Sequence, residues 1–208
     1  MKLPSQILAQ RTQTMGASAI REILKVVSQP GMVSLAGGIP APESFPLDLM
    51  RVLTDAVLEK YGAGALQYDA TEGFEPLRQA LVDHLAAKGV RASADDILVA
   101  SGSQGVLDSL GMALISKGDR VAVEAPTYLG ALQAFNPYEP HYVRIETDDD
   151  GVIPESLESA LKEDSTKLIY LVPTFQNPTG RSLSMERRAA VADLIQRYNV
   201  LLVEDDPY

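Results

Sequence analysis

The chain has no cysteine in 208 residues, which excludes disulfides, thiolate metal sites and a cysteine nucleophile. Histidine is nearly as scarce. The only two, His84 and His141, lie far apart and read as structural or surface residues, so no metal site is expected. There is no apolar run of about 18 residues, and residues 1–29 lack the apolar core of a signal peptide. A cytoplasmic location with no membrane contact is therefore the simplest reading. Basic residues are outnumbered, 18 Lys and Arg against 28 Asp and Glu, and the formal net charge of −10 disfavours nucleic acid or an anionic membrane as a partner. A local positive potential could still hold a small anion.

What is present suffices for one sizeable core, with room for a small second lobe: 46% of the residues are hydrophobic. Ile20, Ile23, Leu24 and Val27 fall at helical spacing, so a helix is expected over residues 14–28, ending before Pro30. A Gly- and Pro-rich loop, LAGGIPAPESFP, follows. Helices are expected over about 49–61 and from Phe74 onward, where Leu77, Leu81 and Leu85 recur turn by turn.

Beyond them the pattern alternates. Strands are expected over 97–100, 121–124, 142–146, 168–172 and 200–203, and helices over 103–116, 128–135, 154–161 and 185–198. Residues 148–150 read as a solvated acidic turn, and Arg187 and Arg188 as solvated surface charges. Strand and helix units of this length predict a largely parallel sheet covered on both faces, an α/β fold, and such sheets bind ligands beyond the carboxyl ends of their strands.

Several of those ends carry polar or aromatic residues. Ser101, Gly102, Ser103 and Gln104 stand between a strand and a helix, where small residues, hydroxyls and free helix N–H groups can hold phosphate oxygens or simply cap the helix. Tyr128, in EAPTY, can stack on a planar ligand or pack against the sheet. Asn177, in VPTFQNPTG, can hydrogen-bond a ring hydroxyl or phenolate. In EDDPY, a carboxylate can hold a protonated pyridine nitrogen, and Tyr208 can donate to a ring oxygen. Solvated loop acids and a divalent metal site are the other readings of that acidic cluster.

The segments LAGGIPAPESFP, ALQYDATEGFEPLR, SGSQGVLD, EAPTY, PTFQNPTG and EDDPY, in this order, resemble fold type I pyridoxal-phosphate aminotransferases of class I/II. The similarity is to the subgroup that includes 2-aminoadipate and kynurenine aminotransferases, and it covers nearly the whole chain. It implies a three-layer α/β/α large domain with a mostly parallel sheet. That domain is expected to be truncated, occupying residues 47–208, with residues 1–46 forming an N-terminal helix and substrate-side loop that belong to the small domain.

The resemblance also implies a cofactor, pyridoxal 5'-phosphate, and a set of contacts to it. Ser101, Gly102, Ser103 and Gln104 would hold the phosphate and Tyr128 would stack on the ring. Asn177 and Tyr208 would contact the ring oxygen, and Asp205 would pair with the ring nitrogen. Tyr68 would reach the cofactor of a neighbouring subunit, which implies a homodimer. Arg21, Gly38 and Asn177 would face the substrates, an amino acid and a 2-oxo acid such as 2-oxoglutarate. The lysine of such enzymes is expected some tens of residues beyond EDDPY, whereas the last lysine here is Lys167. The chain is thus expected to be the N-terminal portion of an aminotransferase and inactive alone. A lyase or decarboxylase on the same fold, and an aminotransferase-like sensor domain of a transcription regulator, are the alternatives.

Overall fold

The computed structural model describes residues 7–13, 31, 40–162 and 166–208. The helix expected over 14–28, with Arg21 and Gly38, lies outside the described residues. The chain divides into two compact units, one of residues 17–101 and the other of residues 1–16 with 102–208.

In the unit of residues 17–101, helix α1 (Leu47–Tyr61) begins after Pro46 and stops at Gly62, whose φ of 56° is a left-handed value that glycine tolerates. Helix α2 (Glu75–Ala87) carries Pro76 in its first turn, where no N–H is missed. The Tyr61 and Phe74 rings meet edge-on at 5.2 Å. Arg78 donates to the Ala94 carbonyl oxygen at 2.8 Å and to that of Gly73 at 3.2 Å, tying the turn before α2 to the segment after it.

One expectation fails in this unit. Residues 97–100 do not form a strand: Val99 N–H bonds to the Glu72 carbonyl oxygen at 2.9 Å, but no ladder partner exists among the described residues and Leu98 is exposed. An apolar run can suggest a strand, yet only a neighbouring chain with matching N–H and C=O groups makes it one.

In the other unit, strands β1 (Arg120–Ala125), β2 (His141–Asp148), β3 (Gly151–Val152), β4 (Thr166–Leu171) and β5 (Leu201–Glu204) form one sheet in the order β3-β2-β1-β4-β5. The pairings β2–β1, β1–β4 and β4–β5 are parallel, and only the short β3 runs antiparallel, at the edge. Helices α3 (Ser103–Leu114), α4 (Leu129–Phe135), α5 (Pro154–Lys162) and α6 (Met185–Tyr198) cover it.

Alternation along the strands builds the layers, because successive side chains point to opposite faces. Val121, Val123, Leu168 and Tyr170 pack with Leu107 of α3 and with Ala131, Ala134 and Phe135 of α4. Ala122, Ile169 and Leu171 pack on the other face with Leu157 and Leu161 of α5 and Val191 and Leu194 of α6. The result is the expected α/β/α layering, with a parallel interior buried on both sides.

Arg187 and Arg188 are not solvated surface charges. Arg187 donates to the Val152 carbonyl oxygen at 3.0 Å and to the Asp148 carboxylate at 2.8 Å, and Arg188 to the carbonyl oxygens of Pro173 at 2.9 Å and Leu183 at 3.1 Å. The forked guanidinium satisfies several acceptors at once, so these residues clamp the β2–β3 turn and the loop after β4 onto the start of α6.

Candidate active site

From β1 the chain moves to β2 on one side of the sheet, then returns to place β4 and β5 on the other. The connections therefore part between β1 and β4, where an open parallel sheet leaves a crevice beyond its carboxyl ends. A cleft of about 170 Å³ lies there, lined by Ser103, Tyr128, Val172, Asn177, Asp205, Pro207 and Tyr208.

Ser103 opens α3, and Gly102 before it has φ 97°, a value that a side chain would strain. The first N–H groups of that helix have no intrahelical acceptor, so this rim of the cleft is rich in donors and suited to an anion. Tyr128 stands at the start of α4, half-buried, with Gly130 beneath its ring. A Cβ on Gly130 would come within 2.6 Å of the Tyr128 hydroxyl. Gly130→Ala is accordingly expected to push that ring out of place and to destabilise the fold by about 1–3 kcal/mol, the range for overpacking. Urea unfolding and a crystal structure of the variant test this; native stability with an unmoved ring would show that the space is not needed.

Asn177 sits on the loop between β4 and α6, which is held from several directions. Gln176 donates its side-chain amide to the Pro126 carbonyl oxygen at 2.9 Å and accepts from the Thr179 N–H at 2.9 Å and hydroxyl at 2.7 Å. Phe175 N–H donates to the Ser182 hydroxyl oxygen at 3.0 Å. The Phe175 ring meets that of Tyr208 edge-on at 5.9 Å. Asp205 follows β5 directly: its N–H donates to the Leu171 carbonyl oxygen at 2.9 Å, and its carboxylate accepts from the Tyr170 hydroxyl at 2.7 Å.

Behind the cleft lies Glu124, the last carboxylate of β1, only 4% exposed. Its carboxylate accepts from Val172 N–H at 2.8 Å, which ties the end of β1 to the end of β4. Burial pushes its pKa up to about 7, against the opposing effect of hydrogen bonds from Val172 N–H and Gln176.

The structure thus brings Ser103, Tyr128, Asn177, Asp205 and Tyr208 to one cleft. Gln104 turns aside, its amide donating to the Gly130 carbonyl oxygen at 3.0 Å. Ser101 ends the other compact unit, and Tyr68, in that same unit, is 98% exposed. Among residues that hold the cleft, the sequence reading passes over Glu124, Tyr170 and Gln176. The available signal was a polar group inside the apolar runs VAVEA and LIYLV.

Taken as a donor set, the cleft offers an anion-binding helix start, an aromatic face, an amide, a phenol and a carboxylate. That chemistry suits a planar ring that bears a phosphate, an oxygen and a basic nitrogen. No lysine lines the cleft among the described residues; Lys167 lies near the amino end of β4, at the opposite end of the sheet, paired with Asp119 at 2.9 Å.

Residues 31–208 match the family model described as aminotransferase class I and II. Aromatic-amino-acid aminotransferase 1 of Thermococcus litoralis is 46% identical over 200 residues, covering 93% of this chain and 48% of that protein. The 2-aminoadipate transaminase of Thermus thermophilus is 38% identical, covering 92% and 47%. A kynurenine aminotransferase of Pyrococcus horikoshii, solved in complex with PMP, superposes with a TM-score of 0.90 at 45% identity, over 97% of this chain and 51% of that one. The chain spans about half the length of these relatives.

Proposed function

Because this chain belongs to the aminotransferase class I and II family, we propose that the full-length protein moves an amino group between an amino acid and a 2-oxo acid, with pyridoxal 5'-phosphate seated in the cleft at the β1–β4 divide. The observation that carries this reading is the convergence of Ser103, Tyr128, Asn177, Asp205 and Tyr208 on that one cleft.

When bound, the cofactor supplies an electron-withdrawing ring that stabilises negative charge developing at the substrate Cα. The chain's own residues bind and orient it. Ser103 and the first N–H groups of α3 hold the phosphate, with Gly102 leading into that rim. Tyr128 covers one face of the ring and keeps water from it. Asn177 and Tyr208 donate to the ring oxygen, and the Asp205 carboxylate holds a proton at the ring nitrogen. Asn177 faces the substrate. In this reading residues 1–46 belong to the small domain and residues 47–208 to the large one, and the lysine that moves the Cα proton lies outside these 208 residues.

Tyr68 serves the cofactor of a second subunit, a reading supported by a side chain 98% exposed in its own chain, so the assembly is a homodimer. The relatives named for aromatic amino acids and for 2-aminoadipate support a donor with a long acidic or an aromatic side chain. Full-length protein supplied with the cofactor, a panel of amino donors and 2-oxoglutarate is expected to form glutamate and the matching 2-oxo acid. Carbon dioxide release without glutamate would place the protein among decarboxylases instead, and cleavage of the donor's side chain among lyases.

A further inference from the structure

We propose that Tyr170 is a positioning residue for Asp205: its hydroxyl, fixed inside the core, orients the carboxylate so that it holds a proton at a ring nitrogen. The inference rests on the reading of the cleft given above and deepens it.

Tyr170 is 0% exposed, next to the carboxyl end of β4, with its ring edge-on to Phe135 at 5.9 Å. Packing therefore leaves the hydroxyl one place to be, 2.7 Å from Asp205 Oδ2. Register explains how a core residue reaches the cleft: Tyr170 pairs with Val203 and Leu171 with Glu204, so Asp205 is the first residue past the ladder, held by its N–H on the Leu171 carbonyl oxygen at 2.9 Å. One carboxylate oxygen is thus occupied from inside the protein and the other is left for the cleft.

A neutral donor differs from a cation in this place. It occupies one carboxylate oxygen with a hydrogen bond, yet it leaves the negative charge intact. Among the described residues, no ion pair joins Asp205 to a lysine or arginine. The donor is also fixed in its protonated form, since burial, reinforced by the hydrogen bond to Asp205, holds the Tyr170 hydroxyl well above the usual tyrosine range. A tyrosine that served only to fill the core would be replaceable by phenylalanine without effect at the cleft.

Tyr170→Phe keeps the ring and its contact with Phe135 while deleting the donor. Full-length protein carrying this change, loaded with pyridoxamine 5'-phosphate labelled with nitrogen-15 in the ring, is expected to show the ring-nitrogen resonance moved toward the unprotonated position, with affinity lowered about tenfold. Site-specific 3-fluorotyrosine at position 170, a stronger donor of nearly the same shape, is expected to move the resonance the other way. A phenylalanine variant with the parent's resonance and affinity would overturn the proposal, as would a fluorotyrosine protein that shifts in the same direction as phenylalanine. Failure of the unsubstituted protein to bind pyridoxamine phosphate would instead remove the reading of the cleft, and this inference with it.

Discussion

Asp205→Asn is expected to lower kcat of the full-length protein on the order of a thousandfold while leaving the cofactor bound, the scale for removing one partner of a paired, partly desolvated charge. Asparagine is the informative substitution because it retains an acceptor oxygen for the Tyr170 hydroxyl, which sits 2.7 Å from the carboxylate. Alanine would leave that hydroxyl buried without a partner and confuse lost stability with lost chemistry. With asparagine the fold is expected to persist, and the Ser103 rim with the Tyr128 ring still to bind the cofactor. Only the charge proposed to keep the ring nitrogen protonated would be gone. Single-turnover rates, compared with KM for the amino donor, separate these effects: a fall in rate at unchanged KM is the expected result. A variant within tenfold of the parent rate would show that the carboxylate does not serve the ring.

Glu124→Gln is expected to abolish a pH dependence of folding stability worth roughly 3 kcal/mol. The carboxyl has a pKa of about 7 in the folded chain against an ordinary 4.5, chiefly because burial penalises its charge. Between those values the folded state keeps a proton that the unfolded state has released. The contribution is therefore complete below pH 4.5, declines as pH rises, and is gone above about pH 7. Glutamine preserves an acceptor for the Val172 N–H, bonded at 2.8 Å in the parent, and carries no charge to desolvate. Urea unfolding of parent and variant from pH 4.5 to pH 8, compared as a difference so that other titrating groups cancel, should show the variant gaining steadily on the parent as pH increases. A difference independent of pH would mean that Glu124 ionises as it would in water.

The two residues illustrate how the sequence could be read and where it could not. A carboxylate at the cleft was accessible because an acidic cluster stands at the carboxyl end of an apolar strand in LLVEDDPY, and the family resemblance singled out Asp205 within it. Glu124 stands in a similar local pattern, VAVEAPTY, yet its side chain is 4% exposed behind the cleft instead of lining it. Alternation sets the face a side chain takes, but whether that face is open depends on what covers it, and the loop that covers Glu124 begins some fifty residues later, at Pro173. Gln104 is a comparable case: it is placed correctly beside the helix start, but its amide is taken by Gly130, on a different element.

The amino-acid sequence alone determined the alternation of strands and helices, the family resemblance and the order of the residues that meet at the cleft, since periodicity and short motifs are properties of neighbours in the chain. Tertiary structure decided the strand order β3-β2-β1-β4-β5, and with it the divide between β1 and β4 where those residues meet. It also decided that residues 97–100 find no ladder partner among the described residues, that two arginines clamp loops, and that Tyr170 reaches Asp205. Each of these turns on a partner distant in sequence, and a backbone or side-chain group acquires its role only when that partner arrives.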